Sequence, residues 1–267
     1  MNISFIGGGV MAEAIINGIL SQKMARKDEI YVGEPVDERR ASLKEQYGIS
    51  VSADNKDVVR HGKLVVLSVK PQSLKEVLSH LKGDMAEDQA VLSIVAGAKM
   101  ESISVGIGHQ AVIRVMPNTP AQISKGMSVW TATPSVNPAY LETTRSILKT
   151  LGSELYVEEE KYIDMATALS ASGPAYVFLF IESLVDAGVY LGMTREMARK
   201  LVLQTILGST LLALETGMHT AELRDMVTSP GGTTAEALSM LEEGGFRAVI
   251  LEAVTAAYDK AKSLGSV

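Results

Sequence analysis

The stretch Asn2-Ile3-Ser4-Phe5-Ile6-Gly7-Gly8-Gly9-Val10-Met11-Ala12, continued to Leu20, decides the fold. Ile3, Phe5 and Ile6 have the character of a buried strand. After Ala12 the apolar residues Ile15, Ile16, Ile19 and Leu20 recur at helical spacing. Between the two lies a glycine turn in which Gly7, Gly9 and Ala12 match G-x-G-x-x-A. The first glycine permits a tight turn. The second lets a pyrophosphate approach the backbone, and the third position must be small so that helix and strand pack closely. The free N–H groups and positive dipole end of the helix suit phosphates. Glycine turns also simply connect elements, but strand, turn and helix in this order predict a dinucleotide-binding unit.

Outward from that unit the chain alternates. Ile30-Tyr31-Val32 reads as a second strand ending at Gly33-Glu34-Pro35, followed by an exposed helix from Asp37 to Tyr47. An acidic residue at this place usually accepts the adenosine ribose hydroxyls and favours NAD, which is one reading of Glu34. Arg39 and Arg40 could instead hold a 2′-phosphate, or Glu34 could only cap a turn. Asp54 can cap a short helix toward His61. Leu64 to Val69, Val91 to Val95 and Val112 to Val115 are buried strands. They end at Lys70-Pro71-Gln72, at Ala96-Gly97 and at Met116-Pro117-Asn118-Thr119-Pro120. Such loops terminate strands in any protein. On one edge of an open parallel sheet they also border a ligand crevice. Edge strands are expected at Met127 to Thr131 and Glu154 to Val157, with a helix from about Pro138 to Leu151 between them.

After Glu160 strand-like runs stop. The segment Asp164 to Ser170 leads into Ala171-Ser172-Gly173-Pro174. Long apolar helices are expected from Ala175 to about Gly192 and, capped by Thr194, to about Thr216. Shorter helices follow, and one from Phe246 to Leu264 closes the chain. The expected architecture is therefore α/β. A Rossmann dinucleotide-binding domain of doubly wound sheet occupies 1–158, and an all-α C-terminal domain occupies 159–267. The two long helices are apolar around much of their girth, which demands burial on several sides. Self-association, as a homodimer or a higher oligomer, is the natural outlet.

Thr228-Ser229-Pro230-Gly231-Gly232-Thr233-Thr234 opens one of the later helices. Gly231 and Gly232 let the backbone turn its N–H groups inward, and Ser229, Thr233 and Thr234 add hydroxyls. Nests of this kind bind carboxylate or phosphate. The alternative is a plain helix cap with a flexible lead-in.

Composition bounds the rest. The 267 residues are 46% hydrophobic and 21% charged, ordinary for a globular chain, and the net charge of −6 argues against a nucleic-acid partner. The chain has no cysteine, which removes disulfides and thiolate chemistry and fits a reducing, cytoplasmic setting. No targeting segment is expected. The apolar run Pro174 to Ile181 ends at Glu182, too short to span a bilayer, so no membrane partner is expected. His61, His80, His109 and His219 show no metal-ligand spacing, so no metal is expected. The scarcity of acid–base groups suits hydride transfer, in which a cofactor carries the chemistry.

Taken together, these motifs resemble pyrroline-5-carboxylate reductase over essentially the whole chain. The resemblance rests on Phe5 to Ala12, on Val69-Lys70-Pro71-Gln72, and on Arg114 to Ala121. It continues in Ser172-Gly173-Pro174-Ala175-Tyr176. It is sharpest in Ser229 to Thr234 followed by Glu243-Gly244-Gly245-Phe246-Arg247. It implies reduction of the cyclic imine (S)-1-pyrroline-5-carboxylate to L-proline, with NAD(H) or NADP(H) as cofactor. It implies that Gly7, Gly9, Val10 and Met11 line the pyrophosphate, with Gly8 in the same turn, and that Asn55 lies at the adenosine ribose, where the reading of the second strand also places Glu34. Val69, Lys70, Pro71, Ala96 and Asn118 would lie at the nicotinamide half. The small-molecule substrate would be held by its carboxylate at Ser229, Gly232 and Thr233, with Gly231 in the same nest. The Thr234 hydroxyl would meet the ring nitrogen as the catalytic group. Where the family often has a Ser, Thr, Asn or Arg cluster after the second strand, this chain has Glu34. Two rivals remain. A β-hydroxyacid dehydrogenase needs a lysine that Tyr176 to Ser183 lacks, and a non-enzymatic dinucleotide sensor would not need the Ser229 to Thr234 nest.

Overall fold

The computed structural model describes residues 1–265. The first strand, β1 (Ile3–Ile6), leads through the glycine turn into α1 (Val10–Ser21). Next come β2 (Ile30–Gly33), α2 (Asp37–Tyr47), a short β3 (Ser50–Ser52) and α3 (Asn55–Val59). Then follow β4 (Leu64–Leu67), α4 (Pro71–Leu81), β5 (Ala90–Ser93), α5 (Met100–Ile107) and β6 (Val112–Met116). β7 (Gly126–Ala132), α6 (Pro138–Leu151) and β8 (Gly152–Tyr156) complete one sheet of order β3-β2-β1-β4-β5-β6-β7-β8. The strands from β3 to β6 are mutually parallel. β7 runs antiparallel to β6, and β8 is parallel to β7.

The continuous apolar runs have a direct structural meaning. Side chains of a strand alternate between faces, so Leu64 and Val66 of β4 enter one core and Val65 and Leu67 enter the other. The first core takes Ile15, Ile16 and Ile19 from α1 and Ile147 and Leu148 from α6. The second takes Leu74, Leu78 and Leu81 from α4 and Ile103 and Ile107 from α5. A parallel sheet covered on both faces needs this composition. Asp54 caps α3 as expected, its carboxylate accepting the Lys56 N–H at 2.9 Å. β3 has no counterpart in the sequence reading. Its three residues, Ser50-Val51-Ser52, carry a single apolar side chain, and its place is set by pairing to Tyr31, Val32 and Gly33.

One buried charge breaks the apolar pattern. Arg114, in the middle of β6, is 1% exposed. It donates to Glu160 at 2.8 Å and to Asp164 at 2.6 Å, on and just before α7 (Lys161–Ala166). Glu160 also accepts the Met100 N–H at 2.8 Å, so the cluster ties α5 and α7 to β6. Arg114→Met should cost about 3 kcal/mol, because breaking a buried pair strands the remaining charge. Both carboxylates keep some access to water, which places the loss at the lower end of that range. Urea denaturation, read as a lower midpoint at unchanged slope, measures it.

After α7 the chain widens into a π-turn over Thr167–Ala171. Then come α8 (Gly173–Tyr190), α9 (Arg195–Thr216), α10 (Thr220–Met226), α11 (Thr233–Glu243) and α12 (Phe246–Leu264). By contacts the chain forms two compact units. One is Met1–Ser172 together with the end of the chain from Ala257, and the other is Gly173–Ala256. Within the second, Gly188 of α8 lies against Ala198 of α9, so close that a Cβ on the glycine would stand 2.8 Å from the alanine Cβ. Thr194 caps α9 by accepting the Met197 N–H at 3.2 Å. The apolar girth of these helices stays largely open within one chain. Phe178, Leu179, Leu207 and Leu251 are between 54% and 69% exposed.

Candidate active site

The strand order reverses between β1 and β4, and the glycine turn sits there. β1 and β4 are paired through Ile6 and Leu67, so the residues that follow each strand emerge side by side. Gly7 takes φ +100°, and a Cβ there would lie 2.7 Å from the Ser68 carbonyl oxygen. The Gly7 N–H donates to the Gly33 oxygen at 2.7 Å, and the Ser68 hydroxyl donates to the Gly7 oxygen at 2.7 Å. Gly9 differs from Gly7 and Gly8 in the room at its Cβ position. Its φ is −69°, it caps α1 without any side-chain bond, and a Cβ there would meet nothing within 4 Å. The turn therefore leaves open space at Gly9, at the N-terminus of α1, where the first N–H groups of the helix have no side-chain cap. These residues fit a dinucleotide phosphate.

The remaining expected cofactor residues lie along the same sheet edge. Val10 and Met11 open α1. Val69 follows β4, Lys70 caps α4, and Pro71 is its first residue. Ala96 follows β5 and Asn118 follows β6. Asn55, the first residue of α3, presses on Gly33 so closely that a Cβ on Gly33 would collide with its side-chain oxygen. Glu34 and Asn55 thus flank the end of β2. The Asn118 side chain is committed within the protein. Its oxygen accepts the Met127 N–H at 2.8 Å, and its nitrogen reaches the Ser170 carbonyl of the π-turn at 3.2 Å.

Sequence reasoning left the two arginines after β2 open, and the structure employs both. Arg39 donates to the Gly8 carbonyl at 2.6 Å and pairs with Glu13 on α1. Arg40 donates to the Glu34 carbonyl at 2.5 Å and pairs with Asp37. Burial works against the Glu13 carboxylate, but bonds from Arg39 and Tyr47 outweigh it and hold its pKa below the ordinary value. The Tyr47 hydroxyl donates to Glu13 at 2.9 Å. Burial, and then that bond, push the phenol up to about 12.

In the second unit, α11 begins at Thr233, with Gly232 as its N-cap. Gly231 takes φ +69°, and the Gly232 N–H donates to the Ser229 oxygen at 3.0 Å. Ser229 is folded over Gly232, where a Cβ would collide with the Ser229 Oγ. No side chain caps α11. Its first N–H groups and the hydroxyls of Ser229, Thr233 and Thr234 have no hydrogen-bond partner among the described residues outside the nest. That arrangement can take a carboxylate, as the sequence suggested. Among the described residues no group of His, Asp or Glu could hold a metal. His219 caps α10 by accepting the Ala221 N–H at 3.2 Å.

A doubly wound sheet with a glycine turn at its switch point, followed by helices, is the layout of a dinucleotide-binding protein. Comparison with known proteins narrows it. Residues 160–264 match the family model for pyrroline-5-carboxylate reductase dimerisation, and residues 2–97 match that for NADP oxidoreductase, coenzyme F420-dependent. The chain is 44% identical to a pyrroline-5-carboxylate reductase of Synechocystis over 99% of its length and 98% of the relative's. It is 38% identical to that of Escherichia coli over 98% and 97%. The Coxiella burnetii enzyme structure superposes with a TM-score of 0.90 at 37% identity, covering 98% of each chain. A Plasmodium falciparum pyrroline carboxylate reductase with NADP bound gives a TM-score of 0.90 at 33% identity, covering 99% and 98%. The chain belongs to the pyrroline-5-carboxylate reductase family.

Proposed function

We propose that this protein reduces (S)-1-pyrroline-5-carboxylate to L-proline with NADH or NADPH, the last step of proline synthesis. The observation that carries the reading is the open Gly9 position at the sheet's switch point, in a chain similar to these reductases from end to end. The bound nicotinamide supplies the hydride that the imine carbon accepts. The protein's own residues do the rest. The glycine turn and α1 take the pyrophosphate, and the loops after β4, β5 and β6 take the nicotinamide half. The nest at Ser229, Gly231, Gly232 and Thr233 holds the substrate carboxylate with N–H and hydroxyl donors. The Thr234 hydroxyl donates to the ring nitrogen, where negative charge gathers as the new C–H bond forms.

A steady-state assay tests this. Oxidation of the reduced nucleotide should require the cyclic imine. Turnover of a 2- or 3-hydroxy acid with the oxidised nucleotide, and none with the imine, would replace the reading by that of a hydroxyacid dehydrogenase. Binding without any turnover would leave a nucleotide sensor.

The open apolar faces of α8, α9 and α12 support self-association as a homodimer or higher oligomer. By length and composition the segments Lys161–Tyr190 and Arg195–Thr216 could also cross a bilayer. The match of this region to a dimerisation family favours a protein partner instead, a second copy of the chain. An obligate interface of this kind buries more than about 2,000 Å². Analytical ultracentrifugation at micromolar concentration should therefore show no monomer, and a folded, active monomer would refute the assignment. A cytoplasmic location belongs to the same proposal and rests on the metabolic role.

A further inference from the structure

We infer that the protein selects NADH over NADPH, and that Glu34 both makes the choice and holds the phosphate turn in shape. The inference rests on the dinucleotide reading above and adds which of the two nucleotides fits.

Glu34 is 9% exposed and its carboxylate is fixed from two sides. One oxygen accepts the Gly8 N–H at 2.9 Å, and the other accepts the Val36 N–H at 3.1 Å. A carboxylate pinned this way cannot swing aside for a second anion. It stands beside Asn55 at the end of β2, where the adenosine ribose of a Rossmann-bound dinucleotide lies. A 2′-phosphate there meets a fixed negative charge, and opposing like charges is a means of rejecting a ligand.

The two arginines that follow β2 are already engaged. Arg39 bonds the Gly8 carbonyl and Glu13, and Arg40 bonds the Glu34 carbonyl and Asp37. Gly8 is thus held at both ends, its N–H by Glu34 and its carbonyl by Arg39. Its own position allows no side chain, since a Cβ would lie 2.6 Å from Leu43. The residue that discriminates at the ribose therefore also orients the peptide on which the pyrophosphate rests.

The two roles separate by substitution. Glu34→Asp keeps the charge and shortens the reach to Gly8. Glu34→Gln keeps the reach and removes the charge, though its NH₂ group must oppose one of the two N–H donors. Binding of NADH and NADPH to the intact protein, titrated without imine by nicotinamide fluorescence, reads both. The wild type should bind NADH about ten- to a hundredfold more tightly than NADPH. Glu34→Asp should weaken both nucleotides and keep their ratio, whereas Glu34→Gln should collapse the ratio. Arg39→Ala should weaken both equally. Wild-type preference for NADPH, or a ratio unmoved in Glu34→Gln, overturns the selection. Undiminished affinity in Glu34→Asp overturns the role in the turn. Selective loss of NADPH in Arg39→Ala makes that arginine a 2′-phosphate ligand and also overturns the proposal. If neither nucleotide binds the wild type, the dinucleotide reading itself fails.

Discussion

Gly9→Val should abolish cofactor binding while leaving the fold intact. The two halves of this expectation have separate physical grounds. The backbone at Gly9 has φ −69° and ψ −179°, which any residue adopts, and a Cβ meets nothing within 4 Å. The folded state therefore accepts valine, apart from the poorer N-cap it makes for α1, worth about 1 kcal/mol. The new methyl groups then stand in the space through which the pyrophosphate reaches the N–H groups of α1. Losing two hydrogen bonds to a charged group, at about 1.5–3 kcal/mol each, weakens binding on the order of a hundredfold or more. Calorimetry with the reduced nucleotide and a thermal melt on the same sample check both halves. Gly7→Val is the contrast. With φ +100° and the Ser68 carbonyl 2.7 Å from its Cβ position, that variant should not fold normally. Unchanged nucleotide affinity in Gly9→Val would mean that the turn is not the cofactor site.

The second large effect divides the nest at Ser229 to Thr234 into two kinds of contact. The substrate carboxylate carries the same charge before and during the reaction, so donors to it stabilise both states alike. The imine nitrogen gains electron density only as the C–H bond forms, so a donor there acts on the transition state. Each bond to a charged or developing charge is worth about 1.5–3 kcal/mol, or about ten- to a hundredfold. Ser229→Ala should therefore raise KM for the imine by that factor with little change in kcat. Thr234→Ala should lower kcat by that factor with little change in KM. Neither should alter nucleotide affinity. Thr234 is the second residue of α11, and α11 has no side-chain cap to lose, so neither change in kinetics is a by-product of helix unwinding. A Thr234→Ala enzyme with full kcat and kcat/KM would reduce Thr234 to a surface hydroxyl and leave proton delivery to solvent.

How much of this was legible in the sequence depends on whether the signal was local. The β1–turn–α1 unit, the apolar runs of β4 to β6 and the Asp54 and Thr194 caps are set by neighbours in the chain, and each lies where periodicity and cap chemistry put it. β3 carries one apolar residue and exists through its pairing with β2, which no local pattern reveals. The partners of Glu34 belong to the same class. Its bond to Gly8 spans 26 residues and the Arg39–Gly8 bond spans 31. A charged residue inside the run Val112-Ile113-Arg114-Val115 was a visible signal. An arginine in a buried strand requires acidic partners, and Glu160 and Asp164 were there to supply them. The π-turn at Thr167–Ala171 left no such signal. It rests on a bond from the Ser172 N–H to the Thr167 oxygen at 2.9 Å and on Asn118 reaching Ser170. The start of α11 was a local signal too: the glycine and hydroxyl run ends where the helix begins, and Gly231 takes the positive φ that favours glycine.

We propose one reaction for this chain, the reduction of a cyclic imine by a reduced nicotinamide dinucleotide. The most direct measurement is stoichiometry. The purified protein is given (S)-1-pyrroline-5-carboxylate and limiting NADH, and product is identified by chiral chromatography. One L-proline should form for each NADH consumed. NADH consumed without proline, or an unreacted imine in the presence of a nucleotide that binds, would contradict it.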